Sequence, residues 1–131
     1  MARYVITPDV ALHLAERGAE VGDGHRLLAP TLFRSQVLSR LYRSVREGRL
    51  TREEAVRRLE YVRGTRIRLL GDRVLQNLAW RIAERLGWDD TLDAEYVALT
   101  RLQADALVTL DPDLARAARD EVTVVSVEAL S

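Results

Sequence analysis

The chain has 131 residues, 47% hydrophobic and 31% charged, with 20 basic residues against 20 acids and a formal net charge of zero. That length suits one domain able to bury a core of its own, and that composition excludes disorder. No apolar run approaches the ~18 to 20 residues of a membrane span, MARYVITPDV lacks the apolar stretch of a signal peptide, and without cysteine there is no disulfide framework or thiolate nucleophile. A cytoplasmic protein that touches no membrane is expected.

The charge is unevenly spread. Residues 34 to 73 hold 12 arginines against five acids, a net of +7, and the rest holds eight against 15, a net of −7. Such a basic segment can meet phosphate backbones, an acidic partner or the chain's own acidic half. Every basic residue is Arg, which a GC-rich genome explains as readily as selection for two-bond phosphate contacts.

In chain order, Tyr4 to Ile6 reads as a first strand, and Pro8 opens a helix to about Arg17. Gly18 to His25, with three glycines, reads as a surface loop. Leu27 and Leu28 form a brief second strand. From Thr31 to Glu47, Leu38, Leu41, Tyr42 and Val45 fall at helical spacing, and Gly48 ends the run. Thr51 caps a charged helix through about Arg63, with Glu54 completing a capping box. Ile67 to Leu70 is a third strand. Asp72 starts a helix striped by Leu75, Leu78, Ala79, Ile82 and Leu86, and another runs from about Thr91 to Ala104. Ala106 to Thr109 is a fourth strand, Pro112 to Arg119 a short helix, and Val122 to Val125 a last strand. This alternation predicts one α/β domain over residues 1–131, with a mainly parallel sheet of about five strands covered on both faces.

In such sheets ligands bind beyond the carboxyl ends of the strands, where strand order reverses. Thr7-Pro8-Asp9 follows the first strand, Thr109 to Asp113 follows the fourth, and Asp93 lies one turn into the preceding helix. If strands one and four are neighbours, these groups converge. Gathered carboxylates need a cation, and hard oxygen donors without His or Cys favour Mg²⁺ or Mn²⁺.

Three segments carry a family resemblance. DAEYVAL followed by LVTLDPDLARAA resembles the C-terminal half of a PIN domain, where an Asp-Ala helix start precedes a Thr-x-Asp strand end. LLAPTLFRSQVLSRLYR resembles the family's second signature, a helix after a Pro that carries a Glu. YVITPDVALHLA resembles the first, a strand ending on Asp. The likeness spans the chain in the right order and implies a three-layer α/β/α fold. Asp93 and Asp111 match family acids, whereas Thr7 stands where the first strand should end in Asp and Gln36 where the helix should carry Glu.

The resemblance implies a VapC-type toxin, a Mg²⁺- or Mn²⁺-dependent endoribonuclease inhibited by a separate antitoxin protein. Asp93 and Asp111 would be the catalytic metal ligands, with Thr7 and Gln36 as weak neutral ones and Asp9 and Asp113 partly replacing the missing charge. Thr109 and Ser35 would bond phosphate or water, and Arg34 would meet the RNA. With two acids gone, metal binding and activity are expected to be weak. Two alternatives stand beside this: a catalytically silent PIN-like module binding RNA or a protein, and a structural dimer. A homodimer is expected through residues 31 to 63, which offer Tyr42, Leu50, Val56 and Tyr61 among arginines.

Each residue also has a plainer reading. Asp111 can serve as a helix N-cap and Thr-Pro-Asp as an N-cap sequence, and Asp93 as an acid favoured by its helix dipole. Gln36 reads as an ordinary helix residue. His13 and His25 lack partners at ligand spacing and read as structural. Trp80 and Trp88 pack in the core or at an interface.

Overall fold

The computed structural model describes all 131 residues and carries one five-stranded sheet, in the order β3-β2-β1-β4-β5, with every pair parallel. β1 (Ala2–Ile6) leads into α1 (Pro8–Arg17), and β2 (His25–Pro30) into α2 (Phe33–Arg46) and α3 (Arg52–Gly64). β3 (Ile67–Leu70) is followed by α4 (Arg73–Leu86) and α5 (Leu92–Gln103), β4 (Ala106–Val108) by α6 (Pro112–Ala118), and β5 (Val124–Val125) by a 3₁₀ turn at Val127–Leu130.

Local chemistry sets the boundaries. Pro8 supplies the fixed φ of a first helical turn, and Gly18 closes α1 with φ of 59°, a left-handed conformation that glycine adopts without strain. The capping box of α3 is complete: Glu54 N–H donates to Thr51 Oγ1 at 3.1 Å, and Thr51 N–H donates to Glu54 Oε1 at 2.9 Å. Asp72 caps α4 by accepting from Leu75 N–H at 2.9 Å.

Strand order fixes the layers. β1, β2 and β3 step across the sheet in one direction, and the chain then returns to β4 and β5 on the other side of β1. Right-handed crossovers therefore place α1, α2 and α3 on one face and α4, α5 and α6 on the other. α1 to α3 pack on one another, while α5 pairs with α4 and lies across β1, β2 and β4. Between these layers lies one cluster of 26 buried apolar residues, in which Ile6, Val97 and Leu107 are fully enclosed. The direction in which the chain steps across the sheet reverses between β1 and β4, so the switch point lies at Thr7 and Thr109.

Trp80 is 64% exposed on α4 and so lies outside the core, while Trp88 packs partly against it. No helix is long and apolar enough to cross a membrane.

Candidate functional site

Thr7 is the N-terminal flank of α1, buried at 4% exposure, yet its side chain makes no capping bond. Its hydroxyl donates instead to Asp9 Oδ1 and lies 3.4 Å from the carbonyl of Val108 on β4. Asp9 is held on both oxygens: Oδ1 also accepts from Val10 N–H at 2.9 Å, and Oδ2 from Leu110 N–H at 3.3 Å. One carboxylate thus ties the start of α1 to the loop after β4. That strap exists because β1 and β4 are neighbours.

Asp111 flanks α6 and caps it, with Oδ1 accepting from Asp113 N–H at 2.9 Å and Leu114 N–H at 3.3 Å. Thr109 Oγ1 accepts from Asp111 N–H at 3.1 Å, which fixes the loop. Capping occupies one carboxylate oxygen of Asp111 and leaves Oδ2 free of protein hydrogen bonds. Asp113 turns to Arg116 in an ion pair with its side chain 84% exposed, facing solvent.

Asp93 stands in the first turn of α5, in contact with water but with part of its hydration displaced by surrounding protein. That partial burial raises its carboxyl above the ordinary aspartate range, and the negative charges of Asp111, Asp90 and Asp9 push it the same way. Arg40 opposes them. Asp93 thus feels the charges of Asp9 and Asp111, which follow β1 and β4.

Gln36 comes from α2, and its Oε1 accepts from the hydroxyl of Tyr96 on α5 at 2.6 Å. Tyr96 is almost wholly enclosed, and burial raises its phenol far above the usual tyrosine range, so the hydroxyl remains a donor. Arg40, Asp93, Glu95 and Asp9 also act on that phenol. Tyr96 and Arg40 are members of the site that the sequence reading did not single out. Both carried a signal: Tyr96 lies three residues after Asp93 and Arg40 four after Gln36, the spacings of one helical face.

Ser35 and Arg34 are exposed in the first turn of α2. Arg34 lines a separate, largely apolar groove of about 500 Å³ with Leu59 and Val62 of α3 and Leu69 of β3. Arg40 is the guanidinium that acts on Asp93.

The resemblance implies a divalent cation, and the donors match one in kind but not in number. The acids at the switch point are carboxylates without thiolate or imidazole, which suits Mg²⁺ or Mn²⁺. Yet no group of three or more His, Cys, Asp or Glu side chains is gathered to hold a metal. Thr7 and Asp9 are engaged with each other, and Gln36 with Tyr96. Of these residues, Asp93 and one oxygen of Asp111 remain without a protein hydrogen bond.

No model of a known protein family matches the chain, and no curated protein matches it in sequence. Solved structures do. PAE2754 from Pyrobaculum aerophilum superposes with a TM-score of 0.75 at 23% identity, over 98% of this chain and 92% of that one. VapBC-1 from nontypeable Haemophilus influenzae gives a TM-score of 0.60 at 12% identity, over 96% and 98%. With five parallel strands between two helical layers, the chain has a three-layer α/β/α PIN-like fold.

Proposed function

We propose that this chain is a VapC-type endoribonuclease whose metal-dependent activity is weakened by neutral residues at two ligand positions. The observation that supports the reading is that Asp9 and Asp111 follow the neighbouring strands β1 and β4 at the switch point, with charges that oppose ionisation of Asp93. A divalent cation there would relieve that opposition, and when bound it polarises a phosphoryl oxygen and acidifies a bound water. Asp93 and the free oxygen of Asp111 would hold it. Arg40 would keep the cleft from excess negative charge as an RNA phosphate enters, and Ser35 and Thr109 would bond phosphate or water. Arg34, on the flank of α2, would meet the RNA backbone farther out. The protein partner implied is an antitoxin, and a second copy of the chain would complete a homodimer.

One observation favours a second reading, a silent module that binds RNA or protein in the same cleft. Thr7 and Gln36, at the two altered positions, are satisfied by internal hydrogen bonds to Asp9 and Tyr96, as in a site that no longer needs an ion.

A fluorescent single-stranded RNA incubated with the protein and Mn²⁺ separates the two. Slow cleavage that EDTA stops and Asp93→Asn removes supports the ribonuclease. RNA binding without any cleavage supports the silent module, and cleavage untouched by Asp93→Asn overturns the cleft as the source of activity.

A further inference from the structure

The amino ends of the strands, opposite the cleft, carry a feature the proposed ribonuclease does not use. Arg3 on β1 is the register partner of Arg26 on β2. Arg26 and Arg66 immediately precede the partners Leu27 and Ile67, so Arg66 stands next in the same row. Residues in register on parallel strands project to the same face, and neighbouring strands lie ~4.8 Å apart. Three guanidinium groups thus rise side by side from three adjacent strands, with Arg68 two residues along β3 on the same face. All four arginines are exposed and line one open groove of about 810 Å³.

This charge is poorly neutralised. The four ion pairs of the molecule involve none of these arginines. The acids nearby are Asp23, which lines the groove, and Asp105, whose carboxylate accepts from the Arg3 backbone N–H at 2.8 Å. Arg26 Nε–H faces only the sulfur of Met1, at 2.9 Å. Like charges directly opposite on neighbouring strands destabilise a sheet, and arginine has no accessible neutral form. The row is a cost to the fold that a bound polyanion would remove.

We propose that this arginine row is a second nucleic-acid site, holding the phosphodiester backbone of an RNA strand at the amino edge of the sheet, apart from the Asp93–Asp111 cleft. Guanidinium forks pair with phosphate oxygens through two parallel hydrogen bonds. A row two strand steps long, about 10 Å, fits a ligand whose charge repeats along a line better than a single anion. Gln103 at the end of α5 and Thr65 before β3 line the same groove, and such side chains commonly contact phosphate and sugar. An acidic peptide fits less well, because Met1 alone among the exposed large hydrophobic residues lines the groove to anchor apolar side chains.

The test is fluorescence anisotropy of the full chain with a labelled single-stranded RNA of about 20 nucleotides, in EDTA, across a salt series. Arg26→Ala with Arg66→Ala should weaken binding about tenfold at low salt. It should also reduce the slope of log affinity against log salt by about 1.4, at ~0.7 per lost contact. Arg17→Ala with Arg119→Ala removes equal charge elsewhere and should leave the slope unchanged. Circular dichroism checks folding, and Arg26→Gln with Arg66→Gln carries the measurement if the alanine pair fails to fold. Wild-type binding by the row variants, or an equal effect from the distant pair, overturns the proposal. Displacement of the RNA by poly-glutamate as effective as by unlabelled RNA also overturns it, marking the groove as a site for acidic peptides.

Discussion

Tyr96 and Gln36 meet at the carboxyl edge of the sheet, where the phenol hydroxyl donates to the Gln36 side-chain oxygen at 2.6 Å and links α5 on one face to α2 on the other. The bond is partly buried, so removing the hydroxyl leaves the Gln36 oxygen short of a donor where water reaches it only in part. Tyr96→Phe should destabilise the protein by about 1 kcal/mol, lowering the thermal midpoint by roughly 3–5 °C. An unchanged midpoint would mean that the bond contributes nothing to joining the two layers.

Asp93 separates two accounts by the sign of its effect. As an acid favoured by its helix dipole it would stabilise α5, and Asp93→Asn would lower the midpoint. In a desolvated, like-charged cleft it costs stability when ionised, and the same change should raise the midpoint at pH 7. Solvent screening keeps the gain well under 1 kcal/mol, or about 1–3 °C. The pH dependence follows from the raised carboxyl. Below the ordinary value of 3.8 both folded and unfolded chains are protonated and the cost vanishes; it appears as pH rises through the folded value. The difference between variant and wild type should therefore close near pH 3 to 4. A lower midpoint for Asp93→Asn at pH 7 would restore the dipole account.

Asp111 combines a cap with a cleft charge, and two substitutions pull these apart. Asparagine caps helices as well as aspartate does, so Asp111→Asn should leave thermal stability within about 0.5 kcal/mol while removing cation affinity. Asp111→Ala loses the bonds from Asp113 and Leu114 and should cost about 1 kcal/mol. Equal midpoints for the two variants would show that the cap is unimportant.

On α2 and α3, Tyr42 is 67% and Val56 46% exposed among arginines, whereas Leu50 packs partly against the core and the Tyr61 hydroxyl donates to the carbonyl of Ala19. The first two are the residues still free for a second copy. Sedimentation at micromolar concentration should give twice the 14.8 kDa of the chain, and Tyr42→Glu should return the single mass. A wild-type mass of one chain would refute the homodimer.

Elements marked by backbone chemistry were legible in the sequence. Pro8 and Gly18 bracket α1, Thr51 and Glu54 announce α3, and β3 falls at Ile67–Leu70 as read. β2 exceeds the Leu27-Leu28 pair because backbone pairing on both sides recruits His25, Arg26, Ala29 and Pro30, whose side chains carry no such signal. β5 is shorter than read, since only Val124 and Val125 find partners on β4. The glycine loop after α1 is tighter than its composition implies. Gly22 donates to Leu130 at 2.8 Å, and a Cβ there would lie 2.8 Å from the Ser131 carbonyl oxygen. Of the site, the pairing of β1 with β4, which sets Thr7 and Thr109 side by side at the switch point, was readable from the alternation of strands and helices. The bonds that engage Thr7, Asp9 and Gln36 were not, because they depend on side-chain directions set by three separate elements.

On the proposed function, neutral residues at positions 7 and 36 limit a ribonuclease centre built on Asp93 and Asp111. The direct measurement is Mn²⁺-dependent cleavage of fluorescent RNA by wild type, Thr7→Asp with Gln36→Glu, and that pair with Asp93→Asn added. Each restored charge a few ångströms from the ion should tighten metal binding about tenfold, equivalent to ~1.4 kcal/mol. Wild type should bind Mn²⁺ only at millimolar levels and cleave slowly, the double variant should cleave clearly faster, and Asp93→Asn should abolish the gain. Rapid wild-type cleavage that Asp111→Asn removes would contradict the claim that the neutral residues weaken the centre. Equal inactivity of all three proteins would contradict the cleft as a nuclease site.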